Sequence, residues 1–136
     1  MANTITTQVV LDGTRNAVIK VVGLLDTSNL ASTTIIDPAL LGGMDLTGAI
    51  KASKFRIEEV EFSIANPLIA VLTWDATTPV PVAYLSDTGE LDAECYGGIP
   101  NNAAAPGFTG KLLMTTLGWA SGSIGFTLLI KIIKVK

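Results

Sequence analysis

The chain has 136 residues, enough for one domain with a real core; 15% are charged and 49% hydrophobic, and the net charge is −3. So little charge, against about 25% in an average domain, fits a β-protein that shows Thr, Ser and Asn to water, a chain that lies largely against other protein, or both. The acidic balance argues against nucleic acid as the main partner, because phosphate binding needs a basic face, and the absence of His removes most acid–base, nucleophile–base and zinc arrangements.

Short apolar, Thr-rich runs alternate with turn chemistry along the chain. MANTITTQVV lacks the basic and apolar regions of a signal peptide, so synthesis in a cytoplasm without export by that route is expected. Ile5 to Leu11 predicts a first strand, closed by the tight-turn pair Asp12-Gly13, and Ala17 to Leu25 a second. Residues 1–8 are extended and Thr-rich, the character of an N-terminal arm or edge strand on which another chain can dock, with Thr4, Ile5 and Thr6 as candidate contact residues. Asp37-Pro38 supplies an N-cap and a proline at the first helical position, and Gly42-Gly43 a stop. Pro38 to Leu41 is therefore at most one helical turn, inside a long connection from Asp26 to about Ala52.

Lys54 to Ala65 predicts a long strand whose parity changes midway. Phe55 and Ile57 are odd-numbered, whereas Val60, Phe62 and Ile64 are even-numbered, and an unbroken strand would send the two groups to opposite faces. A bulge near Glu58-Glu59 would absorb one residue and restore a single core face. Asn66-Pro67 turns the chain and Leu68 to Trp74 returns as a strand. Val80 to Leu85 and Leu91 to Tyr96 are expected as shorter strands separated by Asp87-Thr88-Gly89, and Gly97 to Gly107, rich in Gly, Pro, Asn and Ala, as a loop. Gly110 to Leu117 and Ser123 to Val135 complete the set.

The last run, GFTLLIKIIKVK, could be a membrane anchor, an amphipathic helix or a strand. A spanning helix needs about 20 nearly uncharged residues, and Lys131, Lys134 and Lys136 interrupt this one. On a helix its apolar residues would spread nearly all round. At period two, Ile124, Phe126, Leu128, Ile130 and Ile132 share one face, and Thr127, Leu129, Lys131, Ile133 and Val135 the other. A β-branched run flanked by Gly122 and Gly125 reads as a strand with two apolar faces. Such a strand belongs in the middle of a sheet, with Leu129, Ile133 and Val135 covered by a loop or by another subunit. About eight strands and no strong helix predict a single all-β domain over residues 1–136, an antiparallel β-sandwich of jelly-roll type.

Little in the sequence points to catalysis, and no enzymatic activity, cofactor or metal is expected. Cys95 is the single cysteine, read as a packed thiol. Thr109-Gly110-Lys111-Leu112 lacks the first Gly and the hydroxyl residue of a phosphate loop. Asp87, Glu90, Asp92 and Glu94 form the densest acidic group; period two puts the last three on one face, where a hard cation could sit, although a solvated strand side is the plainer reading. Glu58, Glu59 and Glu61 on one strand do not face one another across a cleft as glycoside hydrolysis requires. The basic groups Lys51, Lys54, Arg56 and Lys131, Lys134, Lys136 read as solvated strand edges. Trp74 and Trp119 could offer a sugar platform, but a Trp ending an apolar strand is more often core or interface, and Trp119 is a candidate interaction residue.

Four stretches in order, Leu11-Asp12-Gly13-Thr14-Arg15-Asn16, LDTSNLASTTIIDPALL from Leu25 to Leu41, Trp74-Asp75-Ala76-Thr77-Thr78-Pro79 and Gly97-Gly98-Ile99-Pro100-Asn101-Asn102, resemble small virion proteins of tailed bacteriophages. The similarity runs over most of the chain, and within that group the capsid cement, or decoration, protein is the nearest functional fit. The resemblance implies a β-sandwich or jelly roll, often trimeric, that clamps neighbouring major capsid protein subunits from the outer surface of the head. The implied partners are thus the major capsid protein and further copies of the chain, with no nucleic acid and no membrane. The motifs are turns and strand ends, which identify kinship better than role. A head-completion or tail component, or a sugar-binding appendage using Trp74, Trp119 and the loop from Gly97 to Gly107, is the alternative.

Overall fold

The computed structural model describes residues 3–44, 47, 50–96, 98–100 and 106–135. Among them are nine strands: β1 (Thr4–Asp12), β2 (Asn16–Leu25), β3 (Thr33–Ile36), β4 (Lys54–Ile64), β5 (Ile69–Trp74), β6 (Val80–Leu85), β7 (Asp87–Asp92), β8 (Leu112–Leu117) and β9 (Ile124–Val135). Two single turns of 3₁₀ helix, Pro38–Leu40 and Glu94–Tyr96, are the only helix among the described residues. All pairings are antiparallel. A five-stranded sheet has the order β1-β2-β9-β4-β7 and a four-stranded sheet the order β3-β8-β5-β6. The chain is an all-β sandwich.

The core is the slab between the sheets. Alternate residues of β2 (Ala17, Ile19, Val21, Leu25) and β9 (Phe126, Leu128, Ile130, Ile132) point into it, against Leu72 and Trp74 of β5 and Leu112 and Met114 of β8. Trp74 is 2% exposed and meets Phe55 edge-on, ring centroids 5.2 Å apart. At Gly23 the ring of Phe126 crosses the backbone: a Cβ there would stand 2.3 Å from its Cζ and 2.9 Å from Ile5 Cδ1. Any side chain there would have to displace the Phe126 ring.

The parity change in β4 is a bulge. Ile57 pairs with Ile132 and Glu59 with Lys131, so Glu58 is the extra residue, and Phe55, Ile57, Val60 and Ile64 all reach the core. β9 lies between β2 and β4, in the middle of the larger sheet, with its even-numbered residues inward.

Five expectations are corrected. The long connection after Asp26 contains β3, which finds its partner in β8 some eighty positions later. Asp87-Thr88-Gly89 does not separate two strands; it begins β7. The chain crosses from β6 in one sheet to β7 in the other over Ser86 and Asp87, the latter at φ 61°, a left-handed conformation that Asp tolerates. The strand expected from Leu91 to Tyr96 therefore stops at Asp92, whose carboxylate accepts the Glu94 amide at 2.9 Å and starts a 3₁₀ turn. That turn carries Cys95 to the surface, so the thiol is exposed and not packed. Lys134 is no solvated edge: it falls on the even, core-facing side of β9 and is 3% exposed. The expected loop from Gly97 to Gly107 lies in large part outside the described residues, as does Lys136.

Candidate interaction surface

Residues directly opposite each other in neighbouring strands share a face, so the register writes out the outward side of the five-stranded sheet. One row across it is Thr4, Leu24, Gly125; the next is Thr6, Val22, Thr127, Ser63, Thr88. Then come Gln8, Lys20, Leu129, Glu61, Glu90, and beyond the β1 bulge Leu11, Val18, Lys131, Glu59, Asp92. Asn16, Ile133 and Arg56 form the last full row, with Val135 opposite Lys54 above it.

This face has two halves of different chemistry. The β1–β2 half is neutral apart from Lys20 and leaves apolar side chains in water: Leu11 is 56% exposed, and Val22 and Leu24 are each 39% exposed. Down the middle, Leu129, Ile133 and Val135 are half-buried. The β4–β7 half is acidic, apart from Arg56 and Lys54 at the end beside Ile133 and Val135. Carboxylate oxygens of Glu59, Glu61 and Glu90 lie within 4.8 Å of one another, as do those of Glu59, Asp92 and Glu94. A hydrogen bond shared with Glu61, then burial, then the charges of Glu90, Glu61 and Glu94 push the Glu59 carboxyl up to about 7. Lys131 bonds Glu94 at 2.9 Å across the boundary between the halves, and that bond raises its own pKa. The pair is exposed, so it orients more than it stabilises.

Of the seven candidate contact residues, Thr4, Thr6, Leu129, Ile133 and Val135 come together on this face. Ile5 and Trp119 do not. Ile5 sits opposite Gly23, on the core-facing side, and packs against the core. Trp119 also packs against the core; its indole N–H donates to Gly122 O at 2.9 Å, and its amide donates to Asn29 Oδ1 at 3.0 Å. Trp74 and Trp119 lie toward opposite ends of the β5–β8 ladder, where Trp74 faces Leu112 and Ile69 faces Leu117, so they form no common platform. Among the described residues, Asn3 to Gln8 are also not a free arm. Thr4 to Gln8 pair with β2, and Asn3 anchors the start by accepting the amides of Asp26 at 2.8 Å and Thr27 at 3.1 Å.

Val22, Leu24 and Lys20 are surface residues beyond those expected, although a signal is present in the sequence. The even members of Ala17 to Leu25 (Val18, Lys20, Val22, Leu24) are nearly as apolar as the odd ones. β2 thus carries the same two-faced pattern as β9, and the two strands lie side by side.

The end of the sandwich beside Ile133 is held by the buried cation. Lys134 Nζ donates to Asp12 Oδ1, to Gly13 O at 2.6 Å and to Gly42 O at 3.0 Å, while Asp12 Oδ2 accepts the Gly42 amide at 2.7 Å. Burial pushes the Asp12 carboxyl up, but the hydrogen bonds from Lys134 and Gly42 and the charges of Lys134 and Lys51 outweigh it and hold the pKa below the ordinary value. This site ties the β1–β2 turn and the Gly42 loop to β9, and every donor of the ammonium is used. No protein-family model, curated protein or solved structure matches the chain.

Proposed function

We propose that the protein is a structural component of a tailed-phage virion, a capsid cement protein that binds the assembled head and bridges major capsid protein subunits from outside. The observation that carries this reading is the outward face of the five-stranded sheet, where Val22, Leu24, Leu129, Ile133 and Val135 form an apolar field beside an acidic one. Burying such side chains stabilises by roughly 1.5–3 kcal/mol each relative to exposure, so a field of this kind on every copy is worth covering. A protein that binds the shell and not the free subunits stabilises the shell by mass action, and many copies multiply a modest contact by avidity. No catalytic group is needed for that. The strand order supports the jelly-roll form of the reading: β2-β9-β4-β7 against β3-β8-β5-β6 is the alternation that two interlocked Greek keys require, with β1 added outside β2.

The test is co-sedimentation with intact heads followed by quantitation against the major capsid protein. A copy number comparable with that of the capsid subunit supports a cement protein. A few copies per particle would instead favour a head-completion or tail component, and absence from particles would remove the virion reading.

A further inference from the structure

A sandwich of two open sheets has four edge strands, each able to pair with another chain unless something prevents it. Three of the four are blocked. β3 offers only four residues. β6 carries Pro81 within the ladder, which has no amide to donate. β7 carries Asp87, Glu90 and Asp92, so two copies meeting there would set carboxylate against carboxylate.

β1 has none of these devices over its first six residues. Thr4 to Val9 contains no charge, proline or glycine, and the ladder with β2 is regular until the bulge between Val9 and Leu11. Toward Val9 the core-facing side of the strand is also uncovered, although Ile5 packs against the core. Val9 faces the core side, opposite buried Ile19, yet is 49% exposed. β1 is therefore a neutral, regular edge with a bare apolar residue beneath it.

We propose that this edge pairs with β1 of a second copy around a two-fold axis, joining the two five-stranded sheets into one. Self-pairing needs a strand that is complementary to itself, and a neutral strand is, whereas β7 is not. Side-chain parity restricts the register: residues brought opposite must lie on the same face, so their numbers sum to an even value. Centring on Thr7 sets Ile5 against Val9 of the partner on the core side and Thr6 against the partner's Gln8 on the outer side. Centring on Thr6 would set Ile5 against Thr7 and leave both copies of Val9 bare. The first register covers the apolar side chains, and β-branched pairs of this kind favour sheet pairing. A two-fold contact closes at two copies, distinct from the trimer implied by resemblance to cement proteins. The inference does not rest on the virion reading, since it concerns the isolated chain.

The test is sedimentation equilibrium of the full chain from about 1 to about 500 μM, the range in which small interfaces become populated. The wild type is expected to show a monomer–dimer equilibrium. Thr6→Glu with Gln8→Glu places like charges opposite each other in the dimer, while the new carboxylate at position 8 still faces Lys20 within its own copy, and should weaken the dimer by about tenfold or more. Thr6→Lys with Gln8→Glu places opposite charges there in both symmetry-related pairs and should restore the dimer. Both variants alter exposed positions, and their thermal unfolding should match the wild type, which separates lost pairing from lost folding. A wild type that stays monomeric or forms trimers, or a double-glutamate variant that dimerises as well as the wild type, would overturn the proposal. So would a strand that pairs only with another protein.

Discussion

Lys134 is the residue on which most of one end of the molecule depends. Its ammonium is fully paired inside the protein, so removing it leaves Asp12 and two carbonyls without their partner. Lys134 is buried, but Asp12 is partly in water and keeps the Gly42 amide, so Lys134→Ala should cost less than a fully buried pair broken from one side, on the order of 1–3 kcal/mol in urea unfolding. Asp12, held below its ordinary 3.8, contributes stability that is present above that value and lost as pH falls through the folded-state value. Glu59 works in the opposite sense. Its pKa is raised, so the stability it contributes is complete below its ordinary 4.5 and is lost as pH rises to about 7. Between those values unfolding midpoints should decline with pH, and Glu59→Gln should flatten that decline. A wild-type profile already flat there would show that the carboxylates of Glu61, Glu90, Asp92 and Glu94 do not crowd Glu59 as described.

At the scale of single elements, β9 divides by face. Leu128 is fully buried, and Leu128→Ala should cost roughly 2–5 kcal/mol, the usual range for a core cavity. Ile133 is half-buried beside Arg56 on the outward side, so Ile133→Asp should keep most of the stability. Denaturant midpoints of the two variants check this; the reverse order would mean the faces are inverted. Gly23→Ala should destabilise by about 1–3 kcal/mol, since the new methyl meets the Phe126 ring. Elements whose evidence is local were legible in the sequence: the period of β9, the parity change that places the bulge at Glu58, and the Asp12-Gly13 turn. β3 was not, because four residues acquire their strand character only from pairing with β8. β7 was hidden by Asp-Thr-Gly, which has turn chemistry, until the ladder with β4 overrides it. The acidic group was visible as two separate runs, but Glu59 and Glu61 reach Glu90 and Asp92 only through that same ladder. Lys134 was misjudged because a lysine reads as solvated, although period two puts it inward and the turn at Gly13 and the loop at Gly42 supply the acceptors.

For the whole molecule, the low charge and the doubly apolar strands β2 and β9 have one physical consequence: a sandwich whose larger sheet shows its outer side half apolar and half acidic. If that face is what seats on the phage head, then binding and folding must be separable by mutation. The most direct measurement is a binding isotherm to purified heads lacking the protein, for the wild type and for Ile133→Asp. The variant should unfold near the wild-type temperature and bind at least about tenfold more weakly, because a carboxylate replaces an apolar contact on that face. Ile133→Asp that stays folded and binds within twofold or so of the wild type would contradict the account, since the face would then take no part in attachment.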